Sequence, residues 1–150
     1  MAAHGRPGMS REEAHRLMKQ NHEASLGTIG DDGNPFVSAT GYVFQNEAMY
    51  ILISDLARHS KNIQKNAHVS LLIVEANAKA PVHERKRVTV QGKAERVNDK
   101  AELETLKKIY LEHFPKAGIF FSLPDFRFYR VPVQELHWIG GFGKAETFKG

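Results

Sequence analysis

Short β-rich runs joined by strong turn signals occupy much of this chain of 150 residues. The clearest pair is EASLGTIG and PFVSATGYVF, which the sequence Asp31-Asp32-Gly33-Asn34 joins. Aspartate, glycine and asparagine favour tight turns, so we predict a β-hairpin here. Further β-rich runs follow along the chain, at 49–54, 69–74, 84–97, 126–131 and 136–148. The sequence therefore predicts a meandering, mainly antiparallel β structure.

Helices are predicted to interrupt these runs at irregular intervals. Ser10 and Glu13 have the spacing of a capping box and predict a first helix that begins at Ser10. Asp55 is the predicted N-cap of a short polar helix, and Asn98 that of a longer helix that Pro115 ends. A parallel α/β sheet needs a more regular alternation. We therefore predict a mainly β (α+β) fold, an antiparallel barrel with peripheral helices.

The length fits one domain, which we place at 10–150 after a disordered tail at 1–9. The chain has no cysteine, which excludes disulfides, thiolate metal sites and a cysteine nucleophile. It shows neither the apolar core of a signal peptide nor a membrane-spanning run. We expect a cytoplasmic protein that does not bind a membrane.

The formal net charge of +4 permits an anionic partner. The basic residues are interspersed with acidic ones, however, so we expect no nucleic-acid partner. Eight histidines show no HxxxH or HExxH pairing, and we predict no protein-built metal site. GxSxG and P-loop motifs are also missing, which gives no support to hydrolase or NTPase chemistry. A small-molecule ligand remains the best-supported kind of partner.

The first candidate site is the basic and hydroxyl cluster Arg58, His59, Ser60 and Lys61. It falls in the first turn of a predicted helix, where free N–H groups and the helix dipole attract anions. Charge-assisted hydrogen bonds from these side chains would add to that attraction. The cluster indicates a phosphate site. The alternative is the solvated polar face of a short helix.

The second candidate site is the strand that begins in the basic run 85–87. Arg87, Thr89 and Gln91 alternate with valines and therefore share one face of this strand. They are candidates to line a polar pocket. The alternative is the water-facing side of an edge strand, where positive charge also protects against aggregation.

The third candidate is the segment that begins at Trp138, the single tryptophan of the chain, and continues with glycines at 140, 141 and 143. Glycines permit a close backbone approach, and the indole offers a flat apolar surface. A flat ligand is one interpretation. A position in the core or at a dimer interface is the other.

These three clusters together resemble the pyridoxamine 5′-phosphate oxidase-like FMN-binding split β-barrels. The resemblance rests on DGNPFVS, YILISDLARHSKNIQKNAHVSLLI, RVTVQGKAERV and LHWIGGFGKA, and covers residues 10 to 147. The sequence is most similar to the haem-utilisation branch, in its ARHSKNI, PDFRFYR and GGFG segments. The resemblance implies a split barrel that works as a homodimer.

The resemblance also implies a cofactor site drawn from several segments: Ser54, Arg58, His59, Ser60, Lys61, Arg87, Gln91 and Trp138. Arg58 and His59 match positions that hold the FMN phosphate, although the oxidases usually have lysine at the second. Trp138 matches a tryptophan that packs on the flavin, here expected from the partner subunit. Lys144 falls where the oxidases place an arginine that meets the substrate phosphate. No catalytic side chain is assigned.

Two functional hypotheses follow from the resemblance. The first is an FMN-dependent oxidoreductase. The second is a haem-binding or haem-degrading protein of the same fold. Haem-handling members bind haem at the dimer interface through a histidine on a C-terminal extension, supported by an acidic residue that Asp125 matches. Here no histidine follows His137, so His59 or another histidine has to substitute for that ligand.

Overall fold

The computed structural model describes residues 7–77, 79–141 and 143–150. These residues form two antiparallel sheets and several helices. The strands are β1 (Glu23–Ile29), β2 (Pro35–Gly41), β3 (Val43–Gln45), β4 (Ala48–Ser54), β5 (His68–Val74), β6 (Arg87–Lys93), β7 (Glu95–Arg96), β8 (Phe126–Pro132), β9 (Glu135–Ile139) and β10 (Ala145–Lys149). The α-helices are α1 (Pro7–Gln20), α2 (Arg58–Lys65), α3 (Lys100–His113) and α4 (Gly118–Phe121).

The larger sheet has six strands in the order β10-β9-β6-β5-β1-β2. Along its strands, more buried and more exposed side chains alternate, because every second side chain faces the core. Leu26 on β1, Leu71 on β5 and Val90 on β6 are directly paired along one row, and all three are fully buried. The opposite face of this sheet, which we call the outer face, carries the intervening residues.

The smaller sheet has four strands in the order β3-β4-β8-β7. Helix α3 packs on it, and Leu106 and Tyr110 of α3 share a buried cluster with Val43 and Phe128 of the sheet. Helix α1 packs on the main core cluster through Leu17 and its neighbours. The helices are therefore peripheral, as the sequence predicts.

Within the described residues, no strand of one sheet pairs with a strand of the other, so the barrel is not closed. The two sheets pack face to face around the shared core, and Gly92 of β6 lies against Pro132 of β8. The mainly antiparallel α+β architecture predicted from the sequence is confirmed. No described helix is long and apolar enough to cross a bilayer.

Helix α1 starts at Pro7, three residues before the predicted start. Ser10 is therefore not its N-cap. Its hydroxyl instead donates a 2.9 Å hydrogen bond to Glu146 on β10 and ties the helix to the edge of the larger sheet. Of the predicted tail, residues 1–6 lie outside the described residues, whereas 7–9 belong to α1.

The predicted caps of the other two helices were also wrong. Ala57, not Asp55, is the N-cap of α2, and it offers no side-chain hydrogen bond. Asp55 instead forms an ion pair with Arg127, at 3.5 Å. Helix α3 is capped by Asp99, one residue after the predicted Asn98. Asp55 is paired with a residue that is distant in sequence, and at α3 the neighbouring Asp99 caps the helix in place of Asn98. Local sequence alone does not decide which polar residue becomes the N-cap.

Candidate functional site

A cleft of about 850 Å³ opens where the ends of β2 and β4 meet the C-terminal end of α3 and helix α4. The chain enters this region through a turn at 55–57 and leaves α3 at Pro115, which begins a short 3-10 helix. Its volume is within the range that is typical of small-molecule and cofactor sites. It contains side chains from four separate parts of the sequence.

One wall of the cleft is aromatic. Phe120 and Phe126 are stacked, with ring centroids 4.8 Å apart and an interplanar angle of 22°. Tyr110 and Phe114 are stacked at 4.5 Å and 29°. Phe120 is 40% exposed although it is large and apolar. A flat, apolar ligand fits such a wall and would cover surface that is otherwise in water.

His59 is a polar lining residue that sequence reasoning also found. It lies in the first turn of α2, half-buried, and its Nδ1 is 2.8 Å from the hydroxyl of Ser38 on β2. No hydrogen bond joins Nε2 to any described residue. Burial lowers the pKa of His59 below its ordinary value, so the ring is neutral at neutral pH. A neutral imidazole with one nitrogen held and one free is suited to metal ligation.

A second imidazole of the cleft belongs to His113, the last residue of α3. It is exposed and stacks on His22, with ring centroids 3.8 Å apart. The pKa of His22 is lowered, first by burial and then by the neighbouring His113. Burial and the neighbouring ring therefore both disfavour the charged form of His22.

Ser54, another predicted residue, lines the cleft at the end of β4. Its hydroxyl donates a 2.6 Å hydrogen bond to Asp125 Oδ2 and accepts one from the backbone N–H of Leu56. The carbonyl of Asp125 also accepts a hydrogen bond from the N–H of Asp55. Asp125 thus fixes the turn after β4 in this chain.

The remaining residues of the first cluster take different positions around the start of α2. The Arg58 guanidinium is exposed and lies 4.5 Å from the centroid of the Phe36 ring. Ser60 is fully buried, and its hydroxyl has no hydrogen-bond partner among the described residues. Lys61 is exposed. Ala57, the N-cap, lines the cleft, so the start of the helix faces the same space as His59.

The predicted residues of the second cluster lie on the outer face of the larger sheet. Arg87 Nη1 donates to the carbonyl oxygens of Val82 and Arg85, at 2.6 and 3.1 Å. Gln91 is exposed and lies at the edge of a separate, smaller pocket. Neither lines the cleft.

Trp138 and Lys144 are also separated from the cleft in this chain. Trp138 is 2% exposed and packs within the main core. Lys144 is exposed in the turn between β9 and β10, where its N–H donates to the carbonyl of Gly141. Phe142, part of the GGFG segment, lies outside the described residues. The structure therefore brings Ser54 and His59 together and places the other predicted residues elsewhere.

Sequence reasoning missed the aromatic wall. Phe114, Phe120 and Phe126 come from the end of one helix, from α4 and from the first position of β8. A signal was present in the apolar run Ile119-Phe120, whose side chains are 65% and 40% exposed in the structure. Such exposure becomes informative once the fold shows that these residues are not core.

Comparison with known proteins agrees with this fold. The family model for pyridoxamine 5′-phosphate oxidase matches residues 10–139. Haem oxygenase HutZ of Vibrio cholerae serotype O1 is 27% identical over 146 residues, which cover 95% of this chain and 83% of HutZ.

Solved structures show the same relationship. A haem-binding protein from Mycobacterium smegmatis has a TM-score of 0.88 at 28% identity, over 97% of this chain but only 59% of its own. The crystal structure of HutZ, described as a haem storage protein, has a TM-score of 0.73 at 26% identity over 92% of each chain. Because the family model spans most of the sequence and the fold agrees, the chain belongs to the pyridoxamine 5′-phosphate oxidase family.

Proposed function

We propose that this protein binds haem in the cleft between the two sheets and α3. The observation that carries the proposal is the combination of an aromatic wall with the neutral, half-buried imidazole of His59 in one cleft. Support also comes from the two relatives whose names include haem. This corresponds to the second hypothesis from the sequence.

The residues of the cleft fit the chemistry of haem. Phe114, Phe120 and Phe126 offer apolar surface to a flat macrocycle and exclude water from it. Lys116 lines the cleft and is exposed, so its ammonium is available to a carboxylate side chain of the ligand. When bound, haem supplies the redox and oxygen chemistry, and the chain supplies binding and orientation. Haem degradation is the reaction that the named oxygenase relative suggests.

FMN binding, the first hypothesis, stays a prediction with one observation in its favour. The first turn of α2 has no side-chain cap, and its N-cap Ala57 lines the cleft. Uncapped N–H groups at a helix start attract an anionic phosphate. A flavin ring and a porphyrin would compete for the same aromatic wall.

Parallel titration with haemin and with FMN tests both hypotheses. We expect haemin to bind saturably and to show a sharpened Soret band. FMN should give a weaker absorbance change or none. Phe120→Glu should weaken haemin binding because it places a charge on the aromatic wall. Val82→Glu is the matched control, since Val82 is 54% exposed and does not line the cleft. A flavin shift without haemin binding would reverse the assignment.

We also propose that the protein is a homodimer that buries the outer face of the larger sheet. Val37 and Leu72 are 67% and 37% exposed there, and both pair with neighbouring residues of β1. Large exposed apolar side chains on a face that otherwise carries polar residues mark a candidate contact surface. Light scattering should give twice the chain mass of 16.9 kDa. Val37→Asp should shift the mass toward that of one chain, and a monomeric wild type would refute the proposal.

A further inference from the structure

The cleft offers few groups that can ligate iron. Cysteine is absent from the chain, and no methionine lines the cleft. Of the residue types that usually hold haem iron, the lining contains His59, His113 and the phenol of Tyr110. Burial raises the pKa of Tyr110 to about 12, which keeps its oxygen protonated and a poor ligand. The choice lies between the two imidazoles.

The two imidazoles differ in how firmly they are held. His59 is half-buried, and its Nδ1 is within hydrogen-bond distance of Ser38 at 2.8 Å. Metal-ligating histidines typically donate their second ring N–H to such a partner, which fixes both the tautomer and the ring plane. His113 is exposed and contacts the ring of His22 instead. A ring in solvent loses more rotational freedom on ligation than one already fixed.

The position of Ser38 explains why His59 can be held in this way. Ser38 lies on β2 and faces the inner side of the larger sheet, opposite the fully buried Leu26. Its hydroxyl is therefore supplied by a strand of the sheet and not by a mobile loop. When Nδ1–H donates to this hydroxyl, the proton is absent from Nε2. The Nε2 lone pair is then available for coordination.

We propose that His59 would ligate the iron of bound haem through Nε2 and that Ser38 is its positioning residue. The proposal rests on haem binding in the cleft. His59 provides the bond to iron, and the aromatic wall provides the apolar contact with the macrocycle.

Haemin titration of the wild type, His59→Ala and His113→Ala tests the assignment, with absorbance and electron paramagnetic resonance as readouts. Wild type and His113→Ala should share one histidine-ligated signature. His59→Ala should lose that signature and bind haemin more than ~100-fold more weakly, beyond the loss typical of an outer-shell partner. Added imidazole should restore the signature in His59→Ala. Circular dichroism should show that all three proteins are folded.

The outcomes separate this inference from the proposed function. If the wild type does not bind haemin, haem binding itself is refuted. If the wild type binds but His59→Ala keeps the wild-type signature, His59 is not the ligand. Loss in His113→Ala, alone or equally with His59→Ala, also overturns the assignment. Ser38→Ala should keep the ligation but weaken haemin binding by roughly 10-fold and shift the iron–histidine stretching frequency of the ferrous form. An unchanged frequency would remove Ser38 from the proposal.

Discussion

Gly92 of β6 lies directly against β8 of the smaller sheet, and we expect its replacement by alanine to be destabilising. A Cβ atom there would lie 2.4 Å from the carbonyl oxygen of Pro132 and 2.9 Å from Cγ1 of Val131. The first contact is with backbone of β8, which cannot rotate away as a side chain can. Overpacking of a core costs about 1–3 kcal/mol. In a chain of this size that corresponds to a fall in Tm of roughly 2–12 °C.

Scanning calorimetry of Gly92→Ala, with Gly27→Ala as the matched control, measures this effect. A Cβ at Gly27 would have its nearest neighbours at 3.7 Å, in ordinary contact with Ser70, so its Tm should change little. Both changes replace a strand glycine by the same residue, which cancels the propensity difference. If the two variants melt together, close approach of the sheets is not what requires glycine at position 92.

Three further predictions follow from single contacts. Ser54→Ala removes the hydroxyl that donates a 2.6 Å hydrogen bond to the carboxylate of Asp125, and it should lower the free energy of unfolding by about 1–3 kcal/mol. An unchanged midpoint in urea denaturation would contradict this. Asp99→Ala should cost about 1 kcal/mol, whereas Asn98→Ala should cost far less, because Asp99 caps α3. The pKa of His22 is lowered in the folded state, chiefly by burial, so the unfolded chain takes up the proton first as the pH falls through about 6.5. Stability should therefore fall between pH 7 and 5, and His22→Asn should flatten that slope in denaturation curves.

The elements of the fold could be predicted where local chemistry decides them. The turn at 31–34 joins β1 to β2, as its aspartates and glycine indicate, and the antiparallel register follows from it. The helix starts could not be placed in the same way. Asp55 is a good cap by composition, but Arg127 from a distant strand pairs with it. A tertiary partner then outweighs a local preference.

The lining of the candidate cleft was predictable only in part for the same reason. His59 and Ser54, which line it, were selected from the sequence because they lie beside a strand end and a helix start, which are local features. Phe114 could not be assigned to the cleft, since a phenylalanine at helical spacing is typical of a core position. Trp138 is buried in the core of its own chain, which agrees with the core position that the sequence left open as an alternative.

The cleft and the outer face of the larger sheet are not independent surfaces. A pocket of about 690 Å³ on the outer face includes Leu72 and also shares Ala39, His113 and Phe114 with the cleft. A second copy that covers Leu72 therefore approaches the rim of the ligand cleft. If the proposed ligand and the proposed second copy both contact this shared rim, each changes the surface that the other binds, and such a coupling is reciprocal. For the proposed haem site and the proposed dimer, we predict that haemin tightens dimerisation by the same factor by which dimerisation tightens haemin binding, and equal dimer dissociation constants with and without haemin would refute this coupling.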